Sequence, residues 1–183
     1  MSKLKIGFYS LYETEIQDSY VGTILITDSY GIPLEFKCTH SVKATGIQKA
    51  LYGERLKPYI GIELCGVPLI KSIANSPDFI FVDAEYLLSI RTKITTPVIL
   101  IGKADKEKLE TPEEYNKDGK ILIAHEYNTF EPVEIQYHPE FEKDNKNTFE
   151  GVFSICTNFD LTEPFARMKK SVEILGKSDN KFK

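Results

Sequence analysis

Apolar and polar positions alternate in short runs from the start of the chain. Leu4-Lys5-Ile6-Gly7-Phe8-Tyr9-Ser10-Leu11 reads as a first strand. Tyr20 to Thr27, with Val21, Ile24, Leu25 and Ile26 apolar, reads as a second. Asp28-Ser29-Tyr30-Gly31 has the composition of a turn, and Gly31 can take a positive φ there. Pro33 to His40 returns as a third strand and closes a hairpin. The period then changes. Thr45 stands where a helix cap belongs, and Ile47, Ala50 and Leu51 follow at helical spacing. Gly53 and Pro58 predict that this helix ends before residue 58. Tyr59 to Leu64 alternates like a short strand. Pro68 suits a first helical turn, with Leu69, Ile70, Ile73 and Ala74 as its apolar stripe.

Two runs are apolar without alternation: Asp78 to Asp83, and Val98-Ile99-Leu100-Ile101 up to Gly102. That is the pattern of strands covered on both faces. Ala84 to Ile90 between them reads as a short helix. Residues 103–119 are polar and rich in lysine and glutamate, as in a mobile loop or insertion, with Thr111 placed to cap one helical turn. Ile121 to His125 is a strand by pattern. Asn128 to Val133 and Asn147 to Val152 look alike, and each begins a β-rich stretch. The charged run Glu140 to Lys146 between them reads as an exposed hairpin loop. Asp160-Leu161-Thr162-Glu163 is a capping-box pattern, followed by a stripe of Phe165, Met168, Val172 and Leu175 that Gly176 closes. The expectation is therefore a single α/β domain over residues 1–176 with a mixed sheet, a C-terminal β-hairpin and a helix. Residues 177–183 read as a disordered tail.

Composition narrows the setting. A chain of 183 residues fits one domain, and 42% hydrophobic residues suffice for a core. No apolar run approaches the ~18 residues of a membrane span. Met1-Ser2-Lys3-Leu4-Lys5 leads into no apolar signal segment, so a cytoplasmic location is expected. Lysine supplies 20 of the 23 basic residues, the arginines being Arg55, Arg91 and Arg167. The arginine fork is the better match for phosphate oxygens. An arginine-poor chain of net charge −4 therefore argues against a broad nucleic-acid surface. The charge is uneven: residues 43–71 are net +3, whereas residues 105–150 carry 13 acids against 6 lysines. The acidic stretch is a solvated face in the plainer reading, or a surface that docks a basic partner. Cys38, Cys65 and Cys156 form no Cys-x-x-Cys pair, and an odd number cannot pair completely, so reduced thiols are expected.

The candidate chemistry lies at two acids. Asp83 ends a buried strand, and ligands of α/β sheets gather at the carboxyl ends of strands. The plainer reading makes it the cap of the helix beginning at Ala84. Glu63 precedes it by 20 residues, with a short helix between. Two carboxylates brought together at strand and helix ends would suit Mg2+, which takes hard oxygen ligands; the plainer reading leaves Glu63 on the surface. Cys38 and His40 share a strand face but lack a short chelate partner for zinc. His125-Glu126 lacks the second histidine of a zinc-protease helix, His138 stands at a strand end, and the run from Asp144 to Asn147 misses the calcium-loop pattern.

The order strand, strand, strand, helix, strand, helix, strand over residues 4–101 resembles the RNase H-like fold. Within it, Tyr59-Ile60, Glu63, Ser76-Pro77-Asp78-Phe79-Ile80-Phe81-Val82-Asp83 and Pro97-Val98-Ile99-Leu100-Ile101-Gly102-Lys103 are similar to the middle of endonuclease V. The resemblance implies a Mg2+-dependent nuclease in which Glu63 and Asp83 match two metal-ligand positions. That family also carries an aspartate on its first strand. Here the matching segment, Gly7-Phe8-Tyr9-Ser10-Leu11, has no acid, and Ser10 occupies the place. Ala84-Glu85 likewise follows Asp83 where the family has a glycine-containing turn.

Three functional expectations follow. The leading one is a non-catalytic cytosolic domain, with no cofactor, that acts by protein interaction or self-association through residues 121–159. There Tyr127, Phe130, Tyr137, Phe141 and Phe149 offer aromatic anchors in a polar rim, and Tyr115 lies just upstream. The second is a divergent Mg2+-dependent nuclease of endonuclease V-like type, the one reading that calls for nucleic acid. The third is a small-molecule enzyme or sensor with a cleft near Asp83. The cysteine reading makes one direct prediction: all three cysteines titrate as thiols with a chromogenic disulfide reagent in denaturant, without prior reduction. Recovery of a single thiol would contradict it.

Overall fold

In a computed structural model, residues 4–104, 119–123, 130–141 and 143–183 are described. Three antiparallel strands, β1 (Lys5–Glu13), β2 (Ser19–Asp28) and β3 (Pro33–Cys38), come first. A two-residue β4 (Val42–Lys43) pairs with the start of β2. The later strands are β5 (Phe79–Val82), β6 (Val98–Lys103), β7 (Lys120–Ile123) and β8 (Val133–Tyr137). The sheet order is β3-β2-β1-β5-β6-β8-β7. β1, β5 and β6 run parallel at its centre, and the antiparallel pairs flank them. This is the mixed sheet the sequence pattern predicts.

The central strands are buried on both faces because each face has its own helical layer. On one face Ile6, Phe8, Phe79, Phe81, Ile99 and Ile101 pack against α4 (Lys143–Ile155) and α5 (Glu163–Ser178), through Val152, Ile155 and Met168. On the other, Tyr9, Ile80, Val82 and Val98 meet Ile62, Leu69, Leu87 and Ile90. Those four come from the helical stretch after β4 and from a 3-10 segment, Glu85–Thr92. Alternation along β1 and β5 thus sorts neighbouring side chains to opposite layers.

The helical stretch departs from the pattern. α1 (Gly46–Tyr52) begins with the expected cap, a capping box in which Thr45 and Gln48 satisfy each other's backbone N–H groups. Gly53, at φ +52°, ends it. Helical turns then resume with α2 (Leu56–Tyr59), where Pro58 sits in the first turn and blocks nothing. They continue through a π-helical segment, Ile60–Gly66, into α3 (Val67–Ser72). The strand expected over residues 59–64 is therefore a π-helix. Its two-residue alternation misleads because Gly61, Cys65 and Gly66 are buried alongside Ile60 and Ile62. This segment lies directly on β2: a Cβ at Gly22 would stand 2.5 Å from that of Cys65.

Two C-terminal expectations also change. Residues 143–155 form α4, not a hairpin loop and a strand, because Asp144, Thr148, Val152 and Ile155 recur at helical spacing and are buried. The hairpin at this end is instead β7 with β8. The tail expected to be disordered is packed. α5 runs to Ser178, Asn180–Phe182 forms a 3-10 turn, the Ser41 N–H donates to Lys181 O at 2.7 Å, and Ser19 Oγ donates to Lys183 O at 2.9 Å. The expected loop and cap within residues 105–118, His125, Tyr115 and Tyr127 lie outside the described residues. Among the described residues, no helix is long and apolar enough to cross a membrane.

A buried charged pair ties α4 to the 3-10 segment. Arg91 Nε and Nη2 donate to Asp144 at 2.6 and 3.2 Å, Nη1 donates to Ile94 O at 2.7 Å, and the guanidinium lies 4.0 Å from the centre of the Phe141 ring. Asp144 is almost wholly covered, so loss of Arg91 strands a buried carboxylate. Arg91→Met is expected to destabilise the fold by about 3–5 kcal/mol in urea unfolding. Arg91→Met combined with Asp144→Leu should destabilise it clearly less. Equal losses in the single and double variants would contradict this account of the pair.

Candidate functional site

The parallel register of β1 and β5 builds the site. Tyr9 pairs with Val82, so the next residue on each strand, Ser10 and Asp83, stand side by side at the carboxyl edge of the sheet. Ser10 is buried, whereas Asp83 is open to solvent. The Ser10 hydroxyl donates to Asp83 Oδ2 at 2.7 Å. Asp83 does not cap the segment that follows it: the cap position is Ala84, and no side chain bonds to that end. Its carboxylate is thus committed to the neighbouring strand and to the space outside it.

Three tyrosines lie close enough to this pair to feel the Asp83 charge. Two residues beyond Ser10 on β1, Tyr12 donates to Phe165 O of α5 at 2.8 Å. Tyr9, fully buried on the other face, donates to Gly61 O of the π-helical segment at 2.6 Å. Tyr86 follows Asp83 in the 3-10 segment. Surrounding protein pushes the Asp83 carboxyl above the usual aspartate range; the Ser10 hydrogen bond, its own backbone N–H and the Lys57 charge oppose that rise. Burial, with the Asp83 charge behind it, raises the Tyr86 phenol to about 12. Burial likewise raises Tyr12 and Tyr9, and Asp83 adds to both. At neutral pH the phenols are therefore protonated donors.

On its other side Asp83 opens into a cleft of about 230 Å3 that runs to the exposed face of β6, β8 and β7. Glu85, Gly102, Gln136 and the Lys120–Glu134 ion pair, 2.8 Å apart, line it. Glu63 lies elsewhere. It projects from the π-helical segment and pairs with Lys93 at 3.2 Å, both side chains being well exposed. Lys93 just follows the 3-10 segment and Asp83 precedes it, so the two acids stand at opposite ends of those eight residues. The structure joins Asp83 to Ser10 and gives Glu63 to Lys93.

The remaining candidates do not converge. Cys38 is half-buried at the end of β3, His40 packs its ring 5.5 Å from that of Phe182, and His138 packs against Phe141. Among the described residues, no three or more His, Cys, Asp or Glu side chains gather in a group fit for a metal ion. Tyr12, Tyr86 and Lys57 are site residues that sequence reasoning missed. Tyr12 had a signal, since positions 10 and 12 of a strand share a face. Lys57 had a weaker one in the basic balance of residues 43–71.

Neither a family model nor a curated protein matches the sequence. Solved structures do match the fold. A Ciona intestinalis endonuclease V variant, in complex with a 23mer DNA containing an inosine followed by a ribo-adenosine, is 13% identical. It covers 97% of this chain and 88% of its own, with a TM-score of 0.57. The catalytic domain of human endonuclease V is 12% identical and covers 96% of this chain and 84% of its own, with a TM-score of 0.55. At such identities the likeness establishes the fold, which is endonuclease V-like and RNase H-like as the strand order implied. It also corrects the leading functional expectation. The chain shares its architecture over nearly its whole length with nucleases, which weighs against a non-catalytic protein-interaction domain. The proposed interaction aromatics agree with the correction, since Tyr137 and Phe149 belong to the core and Phe141 lies under Arg91.

The Ser10 contact has a measurable consequence. A hydrogen bond to the carboxylate favours its charged form, so Ser10→Ala should raise the Asp83 pKa further. Carboxyl-carbon NMR titration of the two proteins checks this. An unchanged or lowered value would show that Ser10 does not hold the carboxylate.

Proposed function

We propose that this protein is a divergent Mg2+-dependent nuclease that engages nucleic acid where β1 and β5 end. One observation carries the reading: Asp83, a solvent-reachable carboxylate at the carboxyl end of a central parallel strand, oriented by Ser10 and opening on a cleft. The endonuclease V-like fold supports it.

The donors present fit the ion sparsely. Mg2+ commonly keeps several waters and is held by one or two carboxylates plus substrate phosphates. Asp83 is the one carboxylate placed at this edge; Glu63, matched to a ligand position by the sequence resemblance, stands with Lys93 at the far end of the 3-10 segment and takes no part in the proposal. When bound, the ion would polarise a phosphoryl oxygen and lower the pKa of its water. The chain's own groups bind and orient. Ser10 holds the Asp83 carboxylate in one direction. Tyr86, protonated at neutral pH, adds no negative charge beside a phosphate, and Lys57 supplies a positive one. The free thiols support a reducing, cytoplasmic setting.

The test is cleavage of labelled single- and double-stranded DNA and RNA in Mg2+. Asp83→Asn, with its circular dichroism unchanged, is expected to lose about 100-fold or more in rate, the scale of removing one transition-state charge contact. Because the Asp83 carboxyl is raised in the folded protein, activity should fall on acidification from a higher pH than an ordinary aspartate would give. Full activity in Asp83→Asn, or no cleavage of any of the four substrates by the wild type, would refute the reading.

A further inference from the structure

We infer that the outer edge of β3 pairs with the β3 edge of a second copy of this chain, joining two sheets across a two-fold axis at Phe36. β3 ends the sheet order, so among the described residues its outer edge meets no strand. Such an edge leaves every second N–H and C=O without a ladder partner. The β2 register tells which residues these are. The Thr39 N–H donates to Gly22 O at 2.9 Å, and the ladder continues with Lys37 opposite Ile24 and Glu35 opposite Ile26. Antiparallel pairs alternate, so Lys37 and Glu35 turn their backbone groups to β2, and Phe36 and Cys38 turn theirs outward. One face of this edge is apolar: Ile32, Leu34 and Phe36 are 58, 45 and 38% exposed. α5 runs beside them, for Arg167 Nη1 donates to Gly31 O at 2.9 Å near its start, and the Ser41 N–H donates to Lys181 O just past its end. Ile174, about two turns after Arg167 on the same helix face, is also exposed.

Charge selects both the occupant and the register. Glu35 and Lys37 share the other face of β3. Glu35 accepts from the Ala74 and Asn75 N–H groups at 3.0 and 2.7 Å, contacts that hold its carboxyl down at about 2. Lys37 lies 3.4 Å from it and donates to Ser72 O. Both side chains are thus held in place, and the carboxyl is ionised. An antiparallel pair centred on Phe36 sets Glu35 opposite Lys37 of the second copy and Lys37 opposite its Glu35, while the two Phe36 residues exchange both backbone hydrogen bonds. A pair centred on Glu35 or Lys37 would oppose like charges and present inward-turned backbone groups. A pair centred on Leu34 or Cys38 would leave both charges facing neutral residues. One edge therefore complements itself in one register, as a two-fold contact requires. The bulge where the β2 register shifts, between Ile26 and Thr27, limits the straight edge to a few residues. The contact is then smaller than a standard interface of about 1,600 Å2, and the dimer is reversible. β3 and β1 are both antiparallel to β2, so the axis sends the two Asp83 edges to opposite ends of the joined sheet. Neither copy enters the other's cleft, and the inference stands apart from the nuclease reading.

Sedimentation velocity of the full chain from about 1 to 500 μM, the span of weak dimers, reads the association. Amide hydrogen exchange by NMR at low and high concentration reads the surface. The wild type should pass reversibly from monomer to dimer. The amides of Phe36 and Cys38 should slow as it does, while those of Glu35 and Lys37, already bonded to β2, change little. Phe36→Pro removes the central outward donor and spares the β2 ladder. With its circular dichroism unchanged, it should stay monomeric. Lys37→Glu sets acids opposite each other twice across the axis and should weaken the dimer at least about tenfold. A wild type that is monomeric over the whole range would overturn the inference. So would a dimer that leaves the Phe36 and Cys38 amides unslowed, and neither comparison needs a variant. Folded Phe36→Pro or Lys37→Glu that dimerises like the wild type would overturn it as well.

Discussion

The rest of the site depends on one register. β1 and β5 run parallel with Tyr9 opposite Val82, and this alone brings Ser10 to Asp83 although 73 residues separate them in sequence. A shift of one residue would exchange the faces of every side chain on β5. Phe79 and Phe81 would leave the layer of α4 and α5, and Ile80 and Val82 would leave that of the π-helical segment. Both apolar layers thus hold the pair in place. The hydrogen bond between Ser10 and Asp83 is a consequence of the core.

The second layer is fixed by close approach. Gly22 meets Cys65 where a side chain on β2 would clash, and Tyr9 reaches from β1 to Gly61 O on the same face. These contacts seat the π-helical segment, and with it α2, which carries Lys57, against the first two strands. A buried tyrosine with its hydroxyl satisfied is a rigid spacer.

Much of this was legible in the sequence. The unbroken apolar run before Asp83 marked a strand covered on both faces, and its final acid marked the carboxyl edge of the sheet. Thr45 and Gly31 announced a cap and a turn that the structure contains. What could not be read was decided by partners distant in sequence. Ile60, Ile62 and Leu64 carry a strand period, yet the contacts of Gly22 and Tyr9 favour a helix there. The charged run before Asn147 looked solvated because the partner of buried Asp144 is Arg91, 53 residues earlier. The tail looked free because its partners, Ser19, His40 and Ser41, lie at the other end of the chain. At the site, the identity of Ser10 was plain, but its hydrogen bond to Asp83 and the pairing of Glu63 with Lys93 required the fold.

The central claim is that nucleic acid is engaged at the carboxyl ends of β1 and β5. Backbone amide NMR of the protein titrated with a short oligonucleotide reads this directly. The amides of Ser10, Tyr12, Lys57, Asp83 and Tyr86 should move together and saturate together, while those of the opposite strand ends, around Lys5 and Asp78, stay still. Shifts confined to other surfaces, or none at saturating oligonucleotide, would contradict the claim.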